Sequence, residues 1–213
     1  MDASTNRGSI ILLWLIALTL LIYYAVDSLF FEDYNLFYNT YGNQLELNRI
    51  NEMIRQTIHW KWIVYLIIPI VILLRISFTS VCIYIGYFVA DIKIKFNELF
   101  KVAVLGDFVF AFSGILKLII LVFFKSVNTL DDIQIQPLSL SNLFDKRSLD
   151  VFYLYPLSVI NVFEVIYILV LVFFISDLVG QTFISTLKKI ATSYGTGLLI
   201  WVLFVMFMNM SFT

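Results

Sequence analysis

Apolar residues along this chain fall in long unbroken blocks, without the alternation of a half-buried strand. Five blocks, at about 10–26, 62–90, 102–124, 152–176 and 191–210, approach or exceed the roughly 20 residues that cross the hydrocarbon of a bilayer. The pattern predicts an all-α polytopic membrane protein: one integral membrane domain over residues 1–213 with five transmembrane helices. The first block is longer than the 7–15-residue core of a signal peptide and no A-x-A site follows it, so it is expected to stay as an uncleaved span.

The segments between blocks predict amphipathic interfacial helices. Segments 91–101 and 177–190 interleave Lys93, Lys95, Lys101, Lys188 and Lys189 with apolar residues just before a span. Segment 27–59 places Phe30, Phe31, Tyr34, Phe37, Tyr38 and Tyr41 at helical spacing, as rings of the headgroup layer do. Its second half puts Ile50, Met53, Ile54 and Ile58 on one face and is expected to run on into the second span, where Pro69 predicts a kink. Residues 125–151 read as a solvated loop with Asp131, Asp132, Asp145 and Asp150.

Composition agrees: 61% of residues are hydrophobic and 14% charged, against about half and a quarter in soluble domains. A net charge of −1 gives no electrostatic case for nucleic acid. One cysteine (Cys82) and one histidine (His59) leave no basis for a disulfide, or for a zinc or iron–sulfur site; no cofactor and no metal are expected. His59, between the second span and its polar lead-in beside Trp60 and Trp62, reads as an interfacial residue, since no nucleophile partners it. Asp131–Asp132 lacks the ligand spacing of a divalent-metal loop. No G-x-S-x-G or H-E-x-x-H motif occurs, and the chain is not expected to be an enzyme.

Four ionisable residues fall inside the spans: Arg75, Asp107, Lys117 and Glu164. Such groups belong in a protein interior or a water-filled cavity, and are a functional hypothesis by default. Arg75 shares a face with Thr79, Cys82 and Gly86, and Asp107 with Ala103, Ala111 and Gly114; small residues at these spacings predict helix contacts. Asn161 and Glu164 lie one turn apart, on one face of span four. Lys117 is turned some 80° from Asp107 and is expected to snorkel outward. Arg75 and Glu164, each near the middle of its span, are the best depth-matched opposite charges, with Asp107 the second candidate partner; spans two and four are therefore expected to touch.

A faint repeat pairs Leu99-Phe100-Lys101-Val102-Ala103 with Leu187-Lys188-Lys189-Ile190-Ala191. Lysines and arginines divide evenly between the two sides that five spans define, and the lysines flush against span ends favour a cytoplasmic N-terminus.

Residues 92–213 resemble the Yip-domain family of five-span membrane proteins. The likeness lies in Lys95-Phe96-Asn97-Glu98-Leu99-Phe100-Lys101 entering span three, in Ser139–Asp145 with Leu149-Asp150-Val151-Phe152 before span four, and in Phe183–Ile190 before span five. It implies five helices, a cytoplasmic N-terminus and no known catalysis. Eukaryotic members bind small GTPases through a long N-terminal region; here about eight residues precede span one and that branch's glycine–proline motifs are missing, so GTPase binding is not expected and the bacterial relatives are the nearer likeness. The expected function is a non-enzymatic scaffold or accessory subunit of the bacterial inner membrane, binding other membrane proteins or itself; a small transporter or channel component using Arg75, Asp107 and Glu164 is the alternative.

Overall fold

The computed structural model describes residues 3–31, 34–144 and 151–211. Glu32, Asp33, Asp145, Lys146, Arg147, Leu149 and Asp150 lie outside them. Among the described residues there is no strand, and five helices are long and apolar enough to span a membrane.

In chain order, α1 (Ala3–Val26) ends in a π-helical turn, Asp27–Phe31. Helix α2 (Asn35–Tyr41) is followed by α3 (Leu47–Val89). Helix α4 (Phe96–Ile119) ends in a second π-helical turn, Ile120–Phe124. After the single turn α5 (Leu130–Ile133) come α6 (Val151–Val159), α7 (Val162–Val179) and α8 (Phe183–Ser211).

Two helical hairpins build the core. Helices α3 and α4 turn through 90–95, where Asp91 takes a left-handed backbone conformation (φ 55°), and α7 and α8 turn at Gly180 (φ 66°). The hairpins lie side by side: α3 packs on α4 and α8, and α7 packs on α4 and α8. Ile83, Tyr87, Leu99, Val102, Leu171, Ile175 and Ile190 fill the space between them. Small residues set the α3–α8 approach, because a Cβ on Gly86 would collide with Ser193 and one on Gly197 with the Cys82 sulfur. Thus the face carrying Thr79, Cys82 and Gly86 packs on protein. Helix α1 lies along α4, with Leu15 and Ile22 against Ala103 and Ala111, so the second small-residue face also meets a helix.

Several expected boundaries shift. Helix α3 has 43 residues, passes Pro69 without a break, and at ~1.5 Å per residue is about 64 Å long, roughly twice the ~30 Å hydrocarbon layer. Its first turns stand beyond the core and carry α2, whose Phe37 packs on Ile50 and Ile54. The segments 91–101 and 177–190 do not form separate interfacial helices. Residues 92–95 form no helix, with Ile92 and Ile94 packed on the core, while Phe96–Lys101 and Phe183–Ile190 are the opening turns of α4 and α8. Helix propagation adds a hydrogen bond per residue, so a turn that abuts a span joins it.

The fourth block is also not one helix. It breaks at Ile160–Asn161, where the Asn161 side chain accepts the Glu164 backbone N–H (2.8 Å) as an N-cap. The chain at 138–140 satisfies the freed backbone: Leu140 N–H donates to Ile160 C=O (2.9 Å) and Val162 N–H to Leu138 C=O (3.2 Å). Asn161 and Glu164 are thus a cap and its third helical residue, and α7 alone spans.

Candidate functional site

Depth within the double hairpin can be counted from its turns. Arg75 lies 14 residues before Val89 and Glu164 15 residues before Val179, or about 21–22 Å at ~1.5 Å per residue. Thr79, Asp107, Tyr167 and Tyr194 lie 10 to 12 residues from the same end of their helices, or about 15–18 Å. Six polar side chains on four helices therefore form one layer near the middle of the bundle.

The strongest contact in it is a two-pronged ion pair. Arg75 Nε donates to Asp107 Oδ1 (2.7 Å) and Arg75 Nη2 to Asp107 Oδ2 (2.6 Å). Parallel charge-assisted bonds of this kind are roughly twice as strong as neutral ones. Asp107 is 1% exposed, so its charge has no water to fall back on. The Arg75 guanidinium also lies over the Phe110 ring, 4.2 Å from its centroid. Its side chain is 36% exposed, and the fork to Asp107 uses only two of its five N–H groups.

Glu164 is the second acid of the layer. It is half-buried, and its Oε1 accepts the Tyr194 hydroxyl at 2.7 Å. It lies within electrostatic reach of both Arg75 and Asp107, without a direct bond to either among the described contacts. Tyr167, fully buried, donates to Thr79 Oγ1 across the bundle (3.0 Å) and meets the Tyr194 ring edge-on at 5.8 Å. A Cβ on Gly106 would sit 2.8 Å from the Tyr167 ring, so glycine beside Asp107 is what admits that tyrosine.

Spans two and four thus touch, but narrowly: Thr79–Tyr167 joins them, while α4 supplies the acid for Arg75. The depth-matched pair Arg75–Glu164 gives way to Arg75–Asp107 because α4 is the neighbour of α3 and α7 stands diagonally across.

Lys117 belongs to a different place. It lies 21 residues into α4, about 31 Å from the hairpin turns, and lines a polar cleft with Gln134, Ser141, Tyr155, Ser158 and Asn209. Asp131 and Asp132 head α5, where Asp132 closes a capping box with Thr129 and pairs with Lys125 at 3.0 Å. His59 is exposed and stacks edge-on against Trp60. Among the described residues no three His, Cys, Asp or Glu side chains come together as a metal site would require.

A second buried acid has no counterpart among the residues that the sequence pattern singles out. Asp27, 4% exposed at the far end of α1, pairs with Lys61 (2.6 Å) and accepts the Tyr65 hydroxyl (3.0 Å). Tyr167 and Tyr194 are also missed by a search for intramembrane charge, although tyrosine at mid-span is out of its usual interfacial place and is a usable signal. Comparison with protein-family models, curated proteins and solved structures returns no match.

Proposed function

We propose that this chain is a non-enzymatic membrane scaffold or accessory subunit, binding other membrane proteins or a second copy of itself. The observation that carries the reading is the closed Arg75–Asp107 fork: the mid-bundle acid is buried, both its oxygens are taken by one arginine, and the layer is completed by tyrosines bonded within the bundle. The three described clefts are lined by none of Arg75, Asp107 or Glu164. An ion pair in this position fixes which helices meet and in what register. The reading includes the bacterial inner membrane as location, with the hairpin turns and the N-terminus cytoplasmic. The Yip-domain resemblance remains part of the proposal on its sequence motifs alone.

One observation favours the transporter alternative. Glu164 is half-buried at the same depth as Arg75, whose remaining N–H groups are not used by Asp107. The test separates the two. Asp107→Asn alone strands a guanidinium and is expected to cost about 3–5 kcal/mol, read as a lower melting temperature in detergent. Arg75→Met with Asp107→Leu is expected to fall within about 1 kcal/mol of the parent or above it. For a scaffold, the folded double variant keeps the membrane-protein partners that co-purify with the parent. Loss of cellular function in a folded, partner-retaining double variant would establish the charges as conductive.

A further inference from the structure

We propose that the cleft at the α3–α4 turn binds the headgroup of a zwitterionic phospholipid whose cation is a primary ammonium. The cleft encloses about 430 Å³, and Tyr84 and Phe88 of α3 form its apolar side. The turn supplies the rest: Asp91, Lys93 and Lys95, with Glu98 from the first turn of α4. Alternation sorts the turn, since Ile92 and Ile94 pack on the core while Lys93 and Lys95 are exposed.

The position suits a lipid. Helix α7 has 18 residues, about 27 Å at ~1.5 Å per residue, close to the ~30 Å of the hydrocarbon layer. The hairpin turns therefore stand at its edge, and Asp91–Lys95 in the adjoining headgroup layer. Around α3, at ~100° per residue, Val81 and Ile70 fall within about 20° of Phe88, and Leu74 within about 40°. All three are exposed. They continue the face that holds Tyr84 and Phe88 from the turn into the hydrocarbon, as a surface for acyl chains.

The chemistry selects the headgroup. Among the described residues no ion pair or side-chain hydrogen bond occupies Asp91, Lys93, Lys95 or Glu98. Two cations and two anions share this lining, so a phosphate alone would meet the lysines but also both carboxylates. A ligand with one charge of each sign matches both sets. Its phosphodiester accepts from the lysine ammoniums, and its own ammonium donates to Asp91 and Glu98. A trimethylated cation has no N–H to donate, so a primary ammonium is favoured.

The experiment is native mass spectrometry of the full chain in mild detergent, with phosphatidylethanolamine as probe. It should be retained about ten-fold over phosphatidylcholine, which lacks the N–H donors, and over diacylglycerol, which lacks the phosphate; one hydrogen bond to a charged group is worth that much. Lys93→Gln with Lys95→Gln should lower its retention about ten-fold. Asp91→Asn with Glu98→Gln should instead bring phosphatidylethanolamine level with phosphatidylcholine. Lys188→Gln, exposed at the same end of the bundle but off the cleft, should leave retention unchanged. The ranking of lipids on the parent chain tests the proposal whether or not a variant folds. Equal retention of phosphatidylethanolamine and phosphatidylcholine, parent-like retention by the lysine double variant, or an equal loss in Lys188→Gln overturns it. Displacement by water-soluble glycerophosphoethanolamine would reassign the site to a free phosphoester and overturn its lipid occupant.

Discussion

Among the described residues outside the spans, Asp132 gathers several bonds. It accepts from the Thr129 side chain and backbone (2.9 and 3.0 Å) and from the Asn128 N–H (3.2 Å). Partial burial works against its charge, but the Lys125 ammonium and those donors outweigh it and hold the carboxyl well below the usual carboxylate range. A depressed carboxylate stabilises the fold above its unfolded pKa of about 3.9, and that contribution is lost as pH falls toward the folded value. Protection of the Asn128–Ile133 amides, their exchange relative to the unfolded chain at the same pH, should therefore hold down to about pH 4 and fall only in stronger acid. Asp132→Asn should exchange fast already at neutral pH. Parallel protection curves for parent and variant would remove Asp132 from this role. The adjacent aspartates read as a solvated loop, because sequence shows a residue's place along the chain and not the donors that fold back onto it. Arg75 meets the same limit inside the bundle. Counting rise per residue puts Arg75 and Glu164 level, and they are level. Which helix stands beside α3 is a property of the hairpin arrangement, and that arrangement presents Asp107 first. The arginine's length covers the remaining offset, so a partner about one turn nearer the hairpin turns is reachable.

At the scale of elements, the five blocks were legible because a bilayer demands about 20 apolar residues, and composition alone reports them. Helix ends were not, because they depend on how the neighbouring segments pack. Leu47–Lys61 is the exception: Ile50, Met53, Ile54 and Ile58 on one face mark it as a helix running into the second span, and it does continue α3, covered by α2. The break at Asn161 was hidden inside a continuous apolar run, and only its cap and the pairing with 138–140 explain it. The faint repeat has a physical counterpart. Thr79 and Tyr167, bonded across the bundle, are 88 residues apart, the separation of Leu99–Ala103 from Leu187–Ala191. The packing of α3 on α8 and of α4 on α7 is what a two-fold axis along the membrane normal would generate from one hairpin. The α3–α8 contact can be tested directly. A Cβ on Gly197 would lie 3.4 Å from the Cys82 Cβ, close to the separation of about 3.5–4.5 Å in a disulfide. Gly197→Cys should therefore lose free-thiol labelling at both cysteines on mild oxidation. Gly195→Cys, which has nothing within 4 Å of its Cβ, should keep both thiols. Labelling that persists at 197 would mean that α3 and α8 do not meet in this register.

At the scale of the whole molecule, the layout of charge bears on orientation. The N-terminal end of α1 belongs to the side of the hairpin turns, since a Cβ on Gly8 would lie 3.3 Å from the Lys101 side chain. Assigned by chain order, that side carries six Lys and Arg against four Asp and Glu; the opposite side carries seven against nine, with Lys117 now among its cations. The count of basic residues does not choose an orientation; their placement is the ground for the proposed one. Lys93 and Lys95 sit in the turn between α3 and α4, and Lys188 and Lys189 in the second turn of α8, at the helix ends where positive charge resists translocation. Arg49 and Arg55 sit on the stretch of α3 that stands beyond the core, farther from the hydrocarbon. With the turns cytoplasmic, single cysteines at Asn51 and Asn128, on a Cys82-free background, should react with a membrane-impermeant maleimide added to intact cells. Cysteines at Asn97 and Ser185 should react only after the membrane is opened. Labelling of Asn97 and Ser185 from outside, with Asn51 and Asn128 protected, would invert the molecule and place the cleft at the α3–α4 turn in the outer leaflet. Labelling of Asn97 and Asn128 from the same side would be inconsistent with α4 crossing the membrane at all.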